Sequence, residues 1–146
     1  MKRLAAILCG LWAALAFASD AAHAEKRVAL VVGNGAYQNA PALATTANDA
    51  NAIADLLRRN SFDVVEVRTD LGNTDFKRVV REFSASARDA DVAVMYFGGH
   101  GVDIGGKNYL LPVDAKLTSD QYADDEAVSL DRVMAMLQGA KRLRVV

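Results

Sequence analysis

The chain has 146 residues, of which 17 are basic and 18 acidic, and its formal net charge is −1. The basic side chains are scattered along the sequence, and this distribution excludes an extended nucleic-acid-binding surface. A chain of this length suits one domain with a modest hydrophobic core.

The amino-terminal segment has the pattern of a secretory signal peptide. Lys2 and Arg3 form a basic region, residues 4–17 an apolar region, and Ala22-His23-Ala24 a small-residue cleavage site. The apolar region is shorter than a membrane span of about 20 residues, so we expect cleavage and export to the periplasm or the medium, with no membrane association afterwards. Cleavage removes Cys9, the only cysteine, and leaves 15 basic and 17 acidic residues, a net charge of −2, with one histidine.

A short β-branched apolar run, Val28–Val32, predicts a buried first strand that Gly33-Asn34-Gly35 ends. A glycine turn after a first strand is also typical of dinucleotide-binding folds, but that fingerprint requires a glycine where Gln38 stands. The spacing therefore excludes this kind of site. Residues 36–45 predict a loop at the carboxyl end of the sheet.

Two amphipathic helices and a second strand are predicted next. The first helical pattern follows Thr46, ends near Asn60 and places its apolar residues on one face: Ala50, Ile53, Ala54 and Leu57. Residues 62–67 predict the second strand. The second helix is predicted to start at Asn73 or Thr74. Its apolar residues follow the i, i+3, i+4, i+7 spacing: Phe76, Val79, Val80, Phe83 and Ala87.

The third predicted strand, Val92–Phe97, is apolar at both alternating sets of positions and runs into Gly98-Gly99-His100-Gly101. This pattern is typical of a strand buried on both faces of a parallel sheet. Ligands bind beyond the carboxyl ends of such strands, so His100 is the leading candidate for a catalytic residue. Imidazole can act as a general base near neutral pH, and the glycines let a substrate approach the main chain. The alternative is a strand-end histidine that only hydrogen-bonds a loop.

The rest of the sequence predicts a hairpin, an acidic loop, a third helix and a fourth strand. The hairpin leads from Gly105-Gly106-Lys107 into residues 108–113, beside the site. Residues 118–126 are polar and acidic and predict a solvated loop. Ser129 is predicted to cap the helix. Residues 142–146 begin the strand, and because no helix follows to cover it, we expect the sequence to be part of a longer domain.

Four segments, in the same order, resemble the large-subunit region of caspase-like cysteine peptidases, most of all bacterial metacaspases and paracaspases. They are residues 28–37 (VALVVGNGAY), 48–50 (NDA), 96–101 (YFGGHG) and 108–115 (NYLLPVDA). The resemblance covers nearly all of residues 26–146. It implies an incomplete α/β domain over residues 25–146, with three layers and a mostly parallel sheet flanked by helices, and the function of a cysteine-type endopeptidase.

The resemblance also implies catalytic roles. His100 corresponds to the histidine of a His/Cys dyad, which assists attack by the thiol and protonates the leaving amine. The backbone N–H of Gly101 corresponds to one donor of the oxyanion hole. The cysteine of this family follows the fourth strand, so we expect it a few residues beyond Val146. Residues 25–146 alone are therefore expected to be inactive.

A substrate-binding role for Asp49 follows from the same resemblance. In metacaspases an aspartate in the segment that corresponds to Asn48-Asp49-Ala50 helps to bind an arginine or lysine before the scissile bond. The implied partner is a protein or peptide, and a carboxylate is a natural partner for such a cation. The alternative is a helix start, because Thr46-x-x-Asp49 has the spacing of a capping box.

Metacaspases often bind calcium through acidic residues, so the resemblance makes calcium a candidate ligand of the acidic segment, residues 118–126. Its carboxylates belong to Asp120, Asp124, Asp125 and Glu126, and their spacing matches no calcium-binding loop. We therefore predict no cofactor and no metal site. Asp103 is interpreted as a turn residue.

Two other functions compete with the peptidase. A caspase-like module without catalytic activity could bind peptides or partner proteins, and a cysteine beyond the fourth strand would distinguish the two. A metal-dependent hydrolase needs more ligands than one histidine without an adjacent carboxylate pattern supplies.

Overall fold

The computed structural model describes residues 25–146, so the predicted signal peptide lies outside the described residues. In chain order the elements are β1 (Arg27–Gly33), α1 (Thr46–Arg59), β2 (Val64–Thr69), α2 (Asn73–Arg88), β3 (Val92–Gly98), β4 (Gly101–Ile104), β5 (Lys107–Leu110), a 3₁₀ turn (Asp120–Tyr122), α3 (Ala123–Glu126), β6 (Val128–Ser129), α4 (Leu130–Met136) and β7 (Leu143–Val145). Four of the strands form a parallel sheet in the order β2-β1-β3-β7. The predicted parallel sheet is confirmed, with β2 shifted toward higher residue numbers.

Helices cover both faces of this sheet and make a three-layer α/β domain. On one face, Ala50 and Ala54 of α1 pack with Val31 of β1. On the other face, Phe83 of α2 joins Leu30 of β1 in the main core, to which α4 also contributes. Because successive side chains of a strand point to opposite faces, neighbouring residues of β1 enter different cores. Burial on both faces explains the continuous apolar run of the first strand.

The register of β1 and β3 brings their carboxyl ends to the same edge of the sheet. Gly33 is the partner of Gly98, and just beyond this pair the N–H of Asn34 donates to the carbonyl oxygen of Gly98 at 2.8 Å. The loop between β1 and α1 and the loop after β3 therefore start side by side. This edge of the sheet carries the candidate site.

A smaller antiparallel sheet stands beside that edge, with the strand order β4-β5-β6. The predicted hairpin is confirmed, although it already begins at Gly101. Its turn consists of Gly105 and Gly106, whose φ angles of 61° and 79° lie in the left-handed region that glycine adopts without strain. β4 thus starts directly after His100.

The helix ends agree largely with the predictions. α2 begins at Asn73, whose N–H donates to a carboxylate oxygen of Asp114 at 2.8 Å, so the cap comes from a distant residue. Ser129 caps α4 as predicted, since its hydroxyl oxygen accepts from the N–H of Arg132 at 3.3 Å. Every helix within residues 25–146 is too short or too polar to cross a membrane.

The acidic segment departs from its prediction. Its acidic side chains are mainly exposed, but its backbone forms the 3₁₀ turn and α3 instead of a loop. Lys77 of α2 donates to the carbonyl oxygens of Asp124 and Asp125 at 3.2 and 2.7 Å, and the hydroxyl of Tyr109 donates to the Asp124 carboxylate at 2.9 Å. These contacts with α2 and β5 order a segment whose composition alone predicts a solvated loop.

Candidate active site

His100 lies just past the end of β3, half-buried, where the β1–α1 loop crosses it. Its Nε2 atom is 2.8 Å from the carbonyl oxygen of Pro41 in that loop. A carbonyl oxygen can only accept a hydrogen bond, so Nε2 carries the proton and the neutral ring is unprotonated at Nδ1. The geometry thus selects one tautomer and leaves Nδ1 able to take a proton.

Tyr37 holds the main chain and the ring of His100. The N–H of His100 donates to the Tyr37 hydroxyl oxygen at 2.8 Å, and the two ring centroids are 4.5 Å apart with planes inclined at 50°. Burial raises the pKa of Tyr37, while the hydrogen bond from the His100 N–H lowers it and nearby Asp70 raises it further. Tyr37 lies in the 28–37 segment, but no pattern in the sequence gives it a role.

Gly99 is required next to these residues because there is no space for a side chain. A Cβ atom at Gly99 would lie 2.5 Å from the Tyr37 hydroxyl oxygen and 2.6 Å from Cζ of Phe97. The glycine run after β3 therefore allows the tyrosine to reach the histidine backbone. The glycine run predicts a close approach to the main chain here, but it does not show which group makes that approach.

The N–H of Gly101 is directed away from the hairpin. Gly101 is opposite Leu110, and the N–H of Leu111 donates to the carbonyl oxygen of His100 at 2.9 Å. In an antiparallel ladder this pattern makes Gly101 and Leu110 a pair without mutual hydrogen bonds, whose N–H groups point outward. β4 is an edge strand of the small sheet, so this N–H faces the exposed side, next to His100.

Asp49 lies in the first turn of α1 with an exposed side chain. Its N–H donates to the carbonyl oxygen of Thr45 at 2.9 Å, and the Thr46 hydroxyl donates to the carbonyl oxygen of Leu43 at 3.3 Å. The alternative of a helix start is confirmed, since α1 begins at Thr46 with Asp49 in its first turn, but no side-chain hydrogen bond caps it, so the capping box is not formed. The structure does not join Asp49 to His100, which is held by Tyr37 and Pro41.

Asp70, which the sequence analysis did not single out, supports the β1–α1 loop. It follows β2 with a φ of 52°, in the left-handed region, and one carboxylate oxygen accepts the N–H groups of Gly35 and Ala36 at 2.8 and 2.9 Å. Together with Gly35, Ala36 and Leu43 it lines a cavity of about 270 Å³. Its position after the second strand is the sequence signal that indicates such a residue.

Asn34 joins three segments beneath the site and is fully buried. Its Nδ2 donates to the carbonyl oxygens of Leu71 and Leu111, each at 3.2 Å, and its Oδ1 accepts the N–H of Leu71 at 2.9 Å. Both amide hydrogens and the oxygen are thus used. A buried amide with all these bonds fixes the relative positions of the segments it joins.

An open cleft of about 490 Å³ lies on the hairpin side of His100. Ala40, which precedes Pro41, and Val102, which follows Gly101, line it together with Leu111 and Lys116. The cleft is therefore lined by direct sequence neighbours of Pro41, which contacts His100, and of Gly101, which follows His100.

Two carboxylates of the 118–126 segment, those of Asp124 and Glu126, accept structural hydrogen bonds. Besides the bond from Tyr109 to Asp124, a Glu126 carboxylate oxygen accepts the N–H of Lys116 at 2.6 Å. Across residues 25–146, histidine and acidic side chains form no group of three that could hold a metal ion.

Comparison with known proteins gives one family and two relatives. The caspase domain family, peptidase C14, matches residues 26–146. The chain is 28% identical over 120 residues to the human mucosa-associated lymphoid tissue lymphoma translocation protein 1, covering 82% of this chain and 14% of that protein. It is 28% identical over 115 residues to the mouse homolog, covering 79% of this chain and 13% of the homolog. The chain thus spans about one seventh of the length of these relatives.

Proposed function

Because the chain belongs to the caspase domain family of peptidase C14, whose general function is proteolysis, we propose that it acts as part of a cysteine-type endopeptidase. In this proposal His100 is the dyad histidine, and the thiol comes from a segment that follows Val146. The observation that carries the proposal is the 2.8 Å contact between Nε2 of His100 and the Pro41 carbonyl oxygen, since it leaves Nδ1 as the proton acceptor.

The register of the sheet supports a thiol close to this histidine. Val145 of β7 pairs with Val94 of β3, and Gly98 lies four residues further along β3. Parallel strands rise by the same ~3.3 Å per residue, so a continued β7 would be level with Gly98 about four residues beyond Val145. A cysteine at or just past that level would share the sheet edge with His100.

The proposed reaction is acyl transfer through a thioester. Nδ1 of His100 takes the thiol proton, and the thiolate sulfur bonds to the carbonyl carbon of the scissile peptide. The N–H of Gly101 donates a hydrogen bond to the resulting oxyanion. The C–N bond then breaks as His100 returns the proton to the leaving amine. Water hydrolyses the thioester with His100 again acting as the base.

The proposed substrate is a protein or peptide with arginine or lysine before the cleaved bond. Asp49 is the proposed partner of that cation, because its carboxylate is exposed at the start of α1, soon after the loop that carries Pro41. The cleft beside Ala40 and Val102 offers about 490 Å³ for other residues of the peptide.

Peptide hydrolysis by a longer protein that continues past Val146 tests the proposal. We expect cleavage after arginine or lysine, and His100→Ala should lower it by roughly 10⁴-fold or more because dyad members act as a unit. Asp49→Ala should lower kcat/KM for these substrates by roughly 10- to 100-fold, the value of a lost charged hydrogen bond. The matched control is Asp55→Ala, an exposed aspartate further along α1 that is paired with Arg58.

Three outcomes would contradict the proposal in different ways. A preference for aspartate before the bond would reject the role of Asp49. Peptide binding without hydrolysis would favour the non-catalytic module. His100-dependent hydrolysis by residues 25–146 alone, which contain no cysteine, would require another nucleophile.

A further inference from the structure

The hairpin ladder next to His100 contains an inserted hydroxyl group. Continuing the ladder by one residue beyond the Gly101–Leu110 pair places His100 opposite Leu111, and the N–H of Leu111 donates to the carbonyl oxygen of His100 at 2.9 Å. In an antiparallel ladder the reciprocal bond would run from the His100 N–H to the Leu111 carbonyl oxygen. Instead, the His100 N–H donates to the Tyr37 hydroxyl oxygen at 2.8 Å, and that hydroxyl donates to the Leu111 carbonyl oxygen at 3.2 Å. The phenol replaces one bond of the ladder.

The backbone of Tyr37 is held on both sides, which determines where its hydroxyl lies. The N–H of Tyr37 donates to the carbonyl oxygen of Gly35 at 3.0 Å, and the N–H of Gln38 donates to that of Val113 at 2.8 Å. The ring packs against the imidazole at a centroid distance of 4.5 Å. The hydroxyl is therefore held between the N–H of His100, just after β3, and the carbonyl oxygen of Leu111, just after β5.

The acceptor of the Tyr37 hydroxyl is fixed as well. The Leu111 carbonyl oxygen also accepts from Nδ2 of the fully buried Asn34 at 3.2 Å. A carbonyl oxygen has two lone pairs, and here two donors use them. A connected path thus runs from the core at Asn34 through Leu111 and Tyr37 to the main chain of His100.

We propose that the Tyr37 hydroxyl is the positioning group that selects the active tautomer of His100. By holding the His100 N–H away from Leu111, it orients the peptide that carries the imidazole, so that Nε2–H reaches the Pro41 carbonyl oxygen and Nδ1 is left as the base. The N–H of Gly101 belongs to the next peptide unit along the chain. The value of this arrangement for catalysis rests on the proposed function, whereas the tautomer itself does not.

Nitrogen NMR of the whole chain tests this directly. The chain contains two histidines, His23 and His100, and the spectrum of His100→Ala shows which signals belong to each. In the unchanged protein we expect a protonated Nε2 and an unprotonated Nδ1. Tyr37→Phe keeps the ring and removes only the hydroxyl, and we expect its His100 nitrogen signals to shift toward the average of two exchanging tautomers. Unchanged signals in Tyr37→Phe would overturn the proposal.

Tyr109→Phe is the matched control, since its hydroxyl donates to Asp124 on the other side of the hairpin. It should leave the His100 signals in place, and an equal shift there would mean a general loosening of the hairpin. Gly99→Ala is a second route, because its Cβ would displace the Tyr37 hydroxyl and should shift the signals as Tyr37→Phe does.

A measurement on the unchanged chain keeps the proposal testable even if these variants fail to fold. The Tyr37 hydroxyl proton should exchange with water far more slowly than that of Tyr122, which is 50% exposed. Equal exchange rates would overturn the proposal. In a longer protein with peptidase activity, Tyr37→Phe should lower kcat by roughly 10- to 100-fold with KM little changed, as expected for a displaced base. A fixed tautomer without any peptidase activity would leave the positioning role intact and reject the proposed function.

Discussion

At the scale of single residues, Asp70 combines an unfavourable backbone conformation with a favourable use of its carboxylate. Its φ of 52° is uncommon outside glycine, asparagine and aspartate, and its carboxylate accepts two N–H groups at the start of the β1–α1 loop. That loop carries Tyr37 and Pro41. The strained position is thus compatible with a stable fold because the hydrogen bonds offset its cost.

We predict that Asp70→Ala lowers the free energy of unfolding by roughly 1–3 kcal/mol, the range for lost hydrogen bonds to a charged group. Asp70→Asn should cost less, because asparagine tolerates the left-handed region and keeps one acceptor oxygen. Urea denaturation of the two variants and the unchanged protein measures the difference. Equal losses in both variants would contradict a contribution from the acceptor oxygen that asparagine retains.

Two tyrosines, Tyr37 of the site and Tyr109 of the hairpin, make stability depend on pH in the alkaline range. Burial raises the pKa of Tyr37, and the hydrogen bond to Asp124 raises the pKa of Tyr109. A group that holds its proton more tightly when folded contributes stability in full below its unfolded pKa of about 10, and that stability is lost as the pH rises through the folded pKa. We therefore predict that the free energy of unfolding falls above about pH 10, as measured by urea denaturation. The variant with both tyrosines changed to phenylalanine should show a weaker fall, and parallel curves would contradict the prediction.

At the scale of elements, local periodicity predicts β1, β3 and α2 well. The apolar residues of each element recur at the period of its secondary structure, and they are the residues that the fold wholly or partly buries. α3 departs from the predicted loop, since its short acidic sequence has no helical period and is ordered by Lys77 and Tyr109 from other elements. The start of α2 was predicted, but its cap is Asp114, which is distant in sequence. Caps and short helices therefore depend on contacts that periodicity does not contain.

The amphipathic face of α2 gives a quantitative test of the layer arrangement. Phe83 is 1% exposed in the main core, so Phe83→Ala should lower the free energy of unfolding by about 3–5 kcal/mol. Leu56 of α1 is 49% exposed, and Leu56→Ala is the control, with an expected change within about 0.5 kcal/mol. Thermal or urea unfolding measures both. Similar losses in the two variants would contradict the assigned faces of the helices.

At the scale of the whole molecule, we predict export with cleavage after Ala24, because basic, apolar and small-residue regions follow one another in the order of a signal peptide. The amino-terminal sequence of the protein purified from cells checks this. Finding Met1 there, or finding the protein in the cytoplasmic fraction, would contradict it. As a control, replacing the apolar region with polar residues should retain the uncleaved chain in the cytoplasm.

By itself the sequence determined the α/β class, the parallel sheet and the position of His100 at a strand end, because buried strands and glycine-rich ends leave a local signal. Only the tertiary structure decided what holds the histidine. Tyr37 is 63 residues away from His100 in sequence, and the Asn34 amide reaches a carbonyl oxygen 77 residues along the chain. Hydrogen bonds of this kind depend on two loops meeting at one edge of the sheet, and a polar residue in a loop shows no periodicity that would reveal its partner.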